Sequence, residues 1–434
     1  MKVVVSVGGR FHAFDLAREL ESQGALHRLI TSYPKFVARR FGVSPEAVTA
    51  LLPVELYKRT LNRLAPEKRA RFEPSVNAMF DRMASLALPN ELDVFVGWSG
   101  MSLRTLRRAQ ERGALGVIER GSAHILTQSQ LLREEYELQG MKPILPHRLI
   151  VRRELAEYDE ADVIAVPSSF AYQSFVDRGT PASKLMLNPY GVDLEHFSPA
   201  EQPADTFRVL FCGRASLQKG TQYLLQAFRE LDLPGSELVL VGSCDPEFEP
   251  IRERFAARNV LWLGHRPQSE LPRFYRRASV FCMPSIQEGM AMVLVQALAS
   301  GLPLLITPNT GGANLVSEGE NGHVVPIRNV EVLKERLLSM YTAGTEACFE
   351  MGRAGTRIVS EGYSWREYGQ RARRAYLERL NRIDDEAPVI VSRRPGMEQA
   401  PPPVGLEPTQ GAADTLNDAE NPSDRQADDL EQAG

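Results

Sequence analysis

Short runs of apolar residues alternate with amphipathic stretches along most of this chain of 434 residues. The first run, Val3–Val7, is followed by a Gly8-Gly9 turn and by residues 13–23, where apolar positions recur at the spacing of one helix face. Similar runs predict further strands in the first half, at Leu29–Thr31, Val94–Val96, Val117–Glu119 and Val163–Val166. A second series predicts strands at Arg208–Cys212, Glu237–Val241, Val260–Leu263, Val280–Met283, Leu304–Thr307 and His323–Val325.

Strand–helix alternation of this kind is typical of a parallel, doubly wound sheet with right-handed crossovers. The chain is also too long for one ordinary hydrophobic core. The sequence therefore predicts an α/β protein in which two Rossmann-like domains face each other across a cleft. We expect an N-terminal domain at residues 1–195 and a C-terminal domain at residues 196–364. A basic helix at about residues 365–384 is predicted to cross back to the N-terminal domain.

Residues 278–325 carry polar groups directly after predicted strands. The buried run Ala278–Met283 leads into a loop that contains Glu288 beside Gly289. An apolar helix from about Ala291 to Ser300 and a second buried strand follow, and that strand leads into Gly311-Gly312. Open α/β sheets bind ligands at the carboxyl ends of their strands, so this βαβ unit predicts a binding site. A carboxylate there can accept hydrogen bonds from sugar hydroxyls. The alternative is an ordinary glutamate in a surface loop.

Two cations lie in a second strand-to-helix loop. Gly213, Arg214, Lys219 and Gly220 follow the predicted strand Arg208–Cys212 and precede a helix that starts near Thr221. Fixed cations and a helix N-terminus stabilise phosphate charge. Taken alone, the pattern favours a solvated basic loop. With Glu288 and the Gly-Gly turn at their spacing, this loop resembles a diphosphate-binding loop.

Together these motifs resemble those of the retaining, nucleotide-sugar-dependent glycosyltransferases of family 4, also called group 1, which have the GT-B fold. The segments 161–170, 188–199 and 363–365 are similar to that family as well. The resemblance implies that Arg214, Lys219 and Glu288 act on the donor, that the reaction retains anomeric configuration, and that neither metal nor cofactor is needed. The donor-binding residues implied by the family's motifs are Gly8, Gly9, Gly213, Gly289, Met290, Gln296, Gly311 and Gly312.

Two positions depart from the family pattern. The family usually has a second glutamate eight residues after the first, where it binds the ribose hydroxyls, and this chain has Gln296. Glutamine still accepts a hydrogen bond but loses its charge-assisted part. Asn314 stands where the family often has an acidic residue after the Gly-Gly turn.

The N-terminal half carries weaker signals. Gly8-Gly9 resembles the family's first-strand glycine loop, and a plain tight turn is the alternative. The family often has a histidine after an N-terminal strand, near the reacting centre, so His124 is predicted to be catalytic. The alternative for His124 is a capping or surface role.

Charge is unevenly distributed along the chain. The net charge is −4, yet residues 401–434 hold eight acidic residues and one base. The tail, residues 386–434, nearly lacks aromatic side chains and is predicted to be disordered.

Residues 55–72 are basic and partly amphipathic, which predicts peripheral contact with an anionic membrane, although a solvated basic face is the alternative. Nucleic acid is a poor fit, because the body is weakly basic and lacks an aromatic platform.

The remaining features indicate a cytoplasmic protein, peripheral on the inner membrane face if residues 55–72 bind lipid. The four cysteines form no CxxC pair, which favours reduced thiols. The predicted function is hexosyl transfer from a nucleotide diphosphate sugar to a hydroxyl of a glycan or lipid-linked acceptor, in polysaccharide biosynthesis. The alternatives are a sugar-nucleotide epimerase of the same fold and a non-catalytic sugar-nucleotide-binding protein.

Overall fold

The computed structural model describes residues 1–64 and 69–381, and the predicted acidic tail lies outside these residues. Within them, two parallel sheets form. The N-terminal sheet contains β1 (Val3–Val7), β2 (Leu26–Thr31), β3 (Val48–Ala50), β4 (Val94–Trp98), β5 (Leu115–Glu119), β6 (Val163–Val166) and β7 (Leu185–Leu187). The C-terminal sheet contains β8 (Arg208–Cys212), β9 (Glu237–Val241), β10 (Val260–Gly264), β11 (Val280–Met283), β12 (Leu304–Ile306) and β13 (Gly322–Val324).

The two sheets share one topology. The first has the strand order β3-β2-β1-β4-β5-β6-β7 and the second the order β10-β9-β8-β11-β12-β13. In each, the order reverses beside the first strand of the domain, and such switch points open the crevice in which doubly wound sheets bind ligands. The predicted GT-B architecture is therefore confirmed. The edge strands β3 and β7 were not predicted from the sequence.

Helices cover both sheets. Those of the N-terminal half are α1 (Ala13–Ser22), α2 (Lys35–Arg40), α3 (Leu52–Leu64), α4 (Arg69–Ala87), α5 (Leu103–Gln110), α6 (Ile125–Leu138), α7 (Arg148–Glu160) and α8 (Ser169–Val176). The others are α9 (Thr221–Leu231), α10 (Glu249–Arg254), α11 (Leu271–Tyr275), α12 (Met292–Ala299), α13 (Val330–Ser360) and α14 (Trp365–Leu380). Among the residues described, no helix is both long and apolar enough to cross a bilayer.

The central strands are buried on both faces. All five residues of β1 and of β4 are buried. Val4 and Phe95 belong to one hydrophobic cluster, whereas their strand neighbours Val5 and Val96 belong to another. Because side chains alternate across a strand, these clusters cover opposite faces of the sheet. This explains why the strands appear in the sequence as continuous apolar runs.

The last described helix, α14, packs on the first helix of the chain. Ser364 and Glu367 form a capping box at its start, which fixes the point where the chain re-enters the N-terminal domain. Gly369 lies so close to α1 that a Cβ atom there would be 2.3 Å from the Cβ of Glu19. Tyr368 and Tyr376 are fully buried on the same helix. The chain therefore crosses between the domains twice, before β8 and again before α14.

A buried carboxylate joins the domains at a third place. Glu135 of α6 has no exposed surface. It accepts hydrogen bonds from Gln222 Nε2 at 2.7 Å, Tyr223 Oη at 2.8 Å and Arg328 Nε at 2.8 Å. Arg328 also donates to Glu134, and its backbone has φ 61°, an uncommon value for a residue with a side chain. The C-terminal domain thus holds α6 through the buried carboxylate of Glu135 and its partner Arg328.

Candidate active site

Two loops that follow neighbouring strands lie against each other at the carboxyl edge of the C-terminal sheet. The Glu288 backbone N–H donates to the Asn309 carbonyl at 3.0 Å, and Asn309 Nδ2 donates back to the Ile286 carbonyl at 2.7 Å. A Cβ atom on Gly311 would lie 2.0 Å from the Gly289 carbonyl oxygen, so only glycine fits this contact. The loops after β11 and β12 are therefore held in a fixed register.

The loop after β8 joins them through side chains. Lys219 Nζ and Glu288 Oε1 form an ion pair, with the Lys219 side chain 21% and the Glu288 side chain 14% exposed. Gln218 Nε2 donates to Gln287 Oε1 at 3.1 Å, and the Gln218 carbonyl accepts from the Ile286 N–H at 2.9 Å. Two residues that are 69 positions apart in the sequence thus form one charged pair, because they follow strands that are neighbours in the sheet.

Two helix N-termini begin at this edge. Gly220, with φ 64°, caps α9 directly after Lys219, and a Cβ atom there would overlap the Pro284 carbonyl. Helix α12 begins four residues after Glu288. Helix N-termini carry partial positive charge and unpaired N–H groups, which favour bound anions. The arrangement therefore suits a phosphate group beside the Lys219–Glu288 pair.

Arg214 pairs with a carboxylate that its motif did not indicate. Its Nε lies 3.2 Å from Asp245 Oδ1, and its side chain is 62% exposed. Burial raises the pKa of Asp245 above its usual value, and the Arg214 charge opposes that rise. The two predicted cations therefore have different partners in this structure. Asp245 was not predicted, although a polar residue soon after a strand end is the signal that reveals it.

The donor loops meet the N-terminal domain directly. Gly289 pairs with Ser122 as an antiparallel bridge, and its carbonyl accepts a hydrogen bond from Ser168 Oγ at 2.5 Å. Gln287 Nε2 donates to Ser122 Oγ at 2.7 Å. The Gly121-Ser122 segment after β5, here termed the cleft wall, thus packs directly on the loop that carries Glu288.

Residues 193–357 match the family described as "Glycosyl transferases group 1". The C-terminal half is a group 1 glycosyltransferase domain. The Arg214, Lys219, Glu288 and Gly311-Gly312 motifs all lie within the matched residues, so the expected family is confirmed.

Curated relatives support this assignment. The amylovoran biosynthesis glycosyltransferase AmsK of Erwinia amylovora is 26% identical over 272 residues, which are 57% of this chain and 66% of that protein. The GDP-mannose-dependent alpha-(1-6)-phosphatidylinositol monomannoside mannosyltransferase of Mycolicibacterium smegmatis is 27% identical over 236 residues, covering 49% of this chain and 61% of the relative. Each alignment covers just under two thirds of the relative's own length.

Solved structures share the fold over most of the chain. Sucrose-phosphate synthase from Thermosynechococcus elongatus has a TM-score of 0.69 at 19% identity and covers 88% of this chain and 99% of its own. HepE from Anabaena, solved in complex with UDP, has a TM-score of 0.63 at 16% identity and covers 87% of this chain and 100% of its own. At these identities the likeness establishes the fold of both domains.

The remaining predicted donor residues of the glycosyltransferase domain lie around the same loops. Met290 is 5% exposed directly after Gly289. A Cβ atom on Gly312 would lie 2.3 Å from Leu294 Cδ1 of α12. Gly213 follows β8 with φ 153°, and a Cβ atom on Gly242 would lie 1.9 Å from its carbonyl oxygen. These glycines allow close backbone approach, and their contact with a donor stays a prediction.

Gln296 lies on α12 with 7% of its surface exposed. Its Oε1 accepts a hydrogen bond from the hydroxyl of fully buried Tyr275 at 3.2 Å. One role of this amide is therefore to hold Tyr275, and contact with a ribose stays a prediction. The other departure, Asn314, has Oδ1 3.1 Å from Ser169 Oγ, so it links the two domains.

The glycine loop after β1 has contacts within its own domain. The Gly8 N–H points to Met101 Sδ at 3.1 Å, and the Gly8 carbonyl accepts from Ser32 Oγ at 2.8 Å. The ring of Phe11, which is 58% exposed with φ 39°, lies over Gly9. The loop lies at the predicted sheet edge, and its contact with phosphate stays a prediction.

His124 has a capping role in this fold, and its predicted catalytic role stays a prediction. This residue is the N-cap of α6, and its Nδ1 accepts a hydrogen bond from the Leu126 N–H at 3.2 Å. The ring packs against Tyr158 and Phe175 at centroid distances of 5.1 and 4.9 Å. Burial lowers the pKa of His124 to about 4, and Arg178 and Arg120 add to that shift. The capping alternative therefore describes the contacts that His124 makes in this structure.

Proposed function

We propose that this protein transfers a hexose-type sugar from a nucleoside diphosphate donor to a hydroxyl of a glycan or lipid-linked saccharide, with retention of anomeric configuration. The Lys219–Glu288 ion pair carries the proposal, because it puts a cation and a carboxylate together where α9 and α12 begin. A sugar diphosphate needs both kinds of group. Its phosphates require positive charge, and its hydroxyls require acceptors.

Each group has a distinct part in the proposed reaction. Negative charge develops on the distal phosphate as its bond to the sugar breaks. Lys219 and the α9 N-terminus stabilise that charge, since preorganised donors act most strongly where charge develops. Glu288 then accepts hydrogen bonds from the sugar ring, which orients the anomeric carbon toward the cleft wall at Gly121-Ser122. Retention is inferred from the family alone, with the acceptor attacking from the face that the diphosphate leaves.

The names of the relatives support one class of product for the proposed reaction. One is named for GDP-mannose and a phosphatidylinositol mannoside, and another for amylovoran biosynthesis. Both names support a role in building polysaccharide or lipid-linked saccharide. The bound UDP in HepE shows that more than one nucleotide occurs on this fold. The proposal is therefore not restricted to one nucleotide base. Metal independence and a cytoplasmic site of action remain predictions.

A donor screen tests the proposal. UDP-, GDP-, ADP- and TDP-sugars are titrated into the protein by calorimetry, and the donor that binds is incubated with glycan and lipid-linked acceptors. We expect nucleoside diphosphate release that depends on the acceptor, and a product whose anomeric configuration by NMR matches that of the donor. Conversion of the donor to its epimer without acceptor would identify the epimerase alternative. Tight donor binding with no turnover on any acceptor would identify a binding protein.

Gln296→Glu is expected to tighten binding of the free nucleoside diphosphate about fivefold. One carboxylate oxygen keeps the hydrogen bond from Tyr275, and the other can accept a charge-assisted bond from a ribose hydroxyl, worth about 1 kcal/mol. Calorimetry on both proteins measures the change. Weakening by more than tenfold would show that the amide itself makes the ligand contact.

We also propose peripheral contact with anionic lipid through residues 55–72, of which residues 65–68 lie outside the described part. Leu56 and Leu64 of α3 are 68% and 77% exposed, with the basic residues Arg59 and Arg63 on the same helix. Exposed leucines beside cations suit an interfacial helix. We expect Leu56→Glu combined with Leu64→Glu to reduce sedimentation with phosphatidylserine vesicles at least fivefold. Equal sedimentation of both proteins would contradict this contact.

A further inference from the structure

Three polar side chains are buried directly behind the cleft wall. His12, Glu119 and Tyr190 are 5%, 4% and 4% exposed. His12 Nε2 lies 3.3 Å from Glu119 Oε2, and the rings of His12 and Tyr190 have centroids 4.3 Å apart. They come from the loop after β1, the end of β5 and the connection between the domains. Tyr190 lies in the family-like segment 188–199 and Glu119 ends a predicted strand, but the sequence did not indicate that they meet His12.

The Tyr190 hydroxyl points at the place where the domains meet. A Cβ atom on Gly121 would be 2.8 Å from the Tyr190 Oη, and a Cβ atom on Gly289 would be 2.1 Å from the Gly121 carbonyl oxygen. Only Gly121 therefore separates the hydroxyl from the loop that carries Glu288. A side chain at Gly121 would fill this space.

The same hydroxyl has no hydrogen-bond partner among the described residues, while the Tyr190 ring contacts the rings of His12 and Tyr368. Although the residue is 4% exposed, its hydroxyl oxygen is not fully buried, so water or a ligand can bond to it. A donor left unpaired beside a substrate cleft is therefore a candidate ligand contact.

The hydroxyl is also kept protonated. Burial raises the pKa of Tyr190 well above its usual value of 10, and the carboxylates of Glu119 and Glu288 raise it further, whereas Arg120 opposes them. Tyr190 is therefore a neutral donor that lies between carboxylates of both domains. Such a group recognises a neutral hydroxyl better than a phosphate, which would be repelled by the two carboxylates.

We propose that the Tyr190 hydroxyl donates a hydrogen bond to a sugar hydroxyl at the reacting centre and that Tyr190 determines specificity for that sugar. The proposal rests on the proposed function, since it requires a saccharide in the cleft. The hydroxyl that it contacts belongs to the transferred sugar or to the acceptor. His12 and Glu119 are positioning residues, because the His12 ring holds the Tyr190 ring and Glu119 holds His12.

Tyr190→Phe tests the proposal with little disturbance of packing. The ring contacts remain, and no protein hydrogen bond is lost. We expect kcat/KM for transfer to fall about tenfold, while the Kd of the free nucleoside diphosphate and the thermal midpoint stay as in the wild type. Tyr376→Phe is the matched control, because the hydroxyl of Tyr376 is buried and unpartnered on α14. It is expected to leave all three quantities unchanged.

Two assays identify which sugar is bound. A loss that also appears in hydrolysis of the donor without acceptor assigns the contact to the transferred sugar. A loss confined to transfer, with a raised KM for the acceptor, assigns it to the acceptor. Full activity of Tyr190→Phe in both assays would overturn the inference, as would an equal loss in Tyr376→Phe. A wild-type protein that neither binds nor turns over any sugar nucleotide would overturn the proposed function itself.

Discussion

Lys219→Ala is expected to lower turnover by about 10²–10³-fold, because it removes the cation nearest the developing diphosphate charge. This corresponds to about 3–4 kcal/mol of transition-state stabilisation. The effect should appear in kcat, with a smaller change in donor KM, since the charge is greatest in the transition state. Steady-state kinetics with the donor identified by the screen measures it.

The same substitution leaves the mostly buried Glu288 carboxylate without its cation, so a loss of stability must be separated from a loss of catalysis. Lys219→Ala combined with Glu288→Gln restores charge balance in the loop. If turnover returned to near the wild-type rate in this double variant, Lys219 would only neutralise Glu288 and the catalytic role would be wrong. Lys334→Ala is the control for removing a lysine, because Lys334 pairs with Glu230 and Glu331 on the surface.

Arg328→Ala is expected to lower the free energy of unfolding by about 3–5 kcal/mol, because it leaves Glu135 buried with less compensation for its charge. Gln222 and Tyr223 still donate to that carboxylate, but they are neutral. Denaturant unfolding monitored by fluorescence measures the change. Replacing Glu135 by glutamine in the same protein should recover part of the loss, since the unpaired charge is then removed.

The control for this prediction is Arg353→Ala. Arg353 pairs with Glu350 one helical turn away, and both side chains are more than half exposed, at 58% and 59%. Exposed ion pairs of this kind contribute about 0–1 kcal/mol. A loss at Arg328 no larger than at Arg353 would mean that Glu135 is compensated by water or by its neutral donors.

The fold was predictable from the sequence because parallel strands buried on both faces appear as isolated apolar runs. The pairing of Lys219 with Glu288 was predictable for a related reason. Strands β8 and β11 are neighbours in the sheet, so the residues that follow them lie at one edge. Residues that are far apart in the sequence lie close together when they follow neighbouring strands, so only the strand order had to be inferred.

The direction of a side chain could not be predicted in the same way. His124 follows a strand, but its backbone at the start of α6 turns the ring toward Tyr158 and Phe175 rather than the cleft. Arg214 likewise faces Asp245. Tyr190 lies in the family-like segment 188–199, but an aromatic residue in a connection resembles a packing residue until its spatial neighbours are known.

The position of α14 also affects the order in which the parts of this chain fold during synthesis. The face of α1 that α14 covers is made within the first 22 residues, yet its partner emerges only after residue 365. The ribosome therefore completes the whole C-terminal sheet while the N-terminal domain still exposes an apolar surface. Such long-range contacts close slowly and leave intermediates prone to aggregation. We expect nascent chains released before residue 365 to engage chaperones that bind exposed apolar surface.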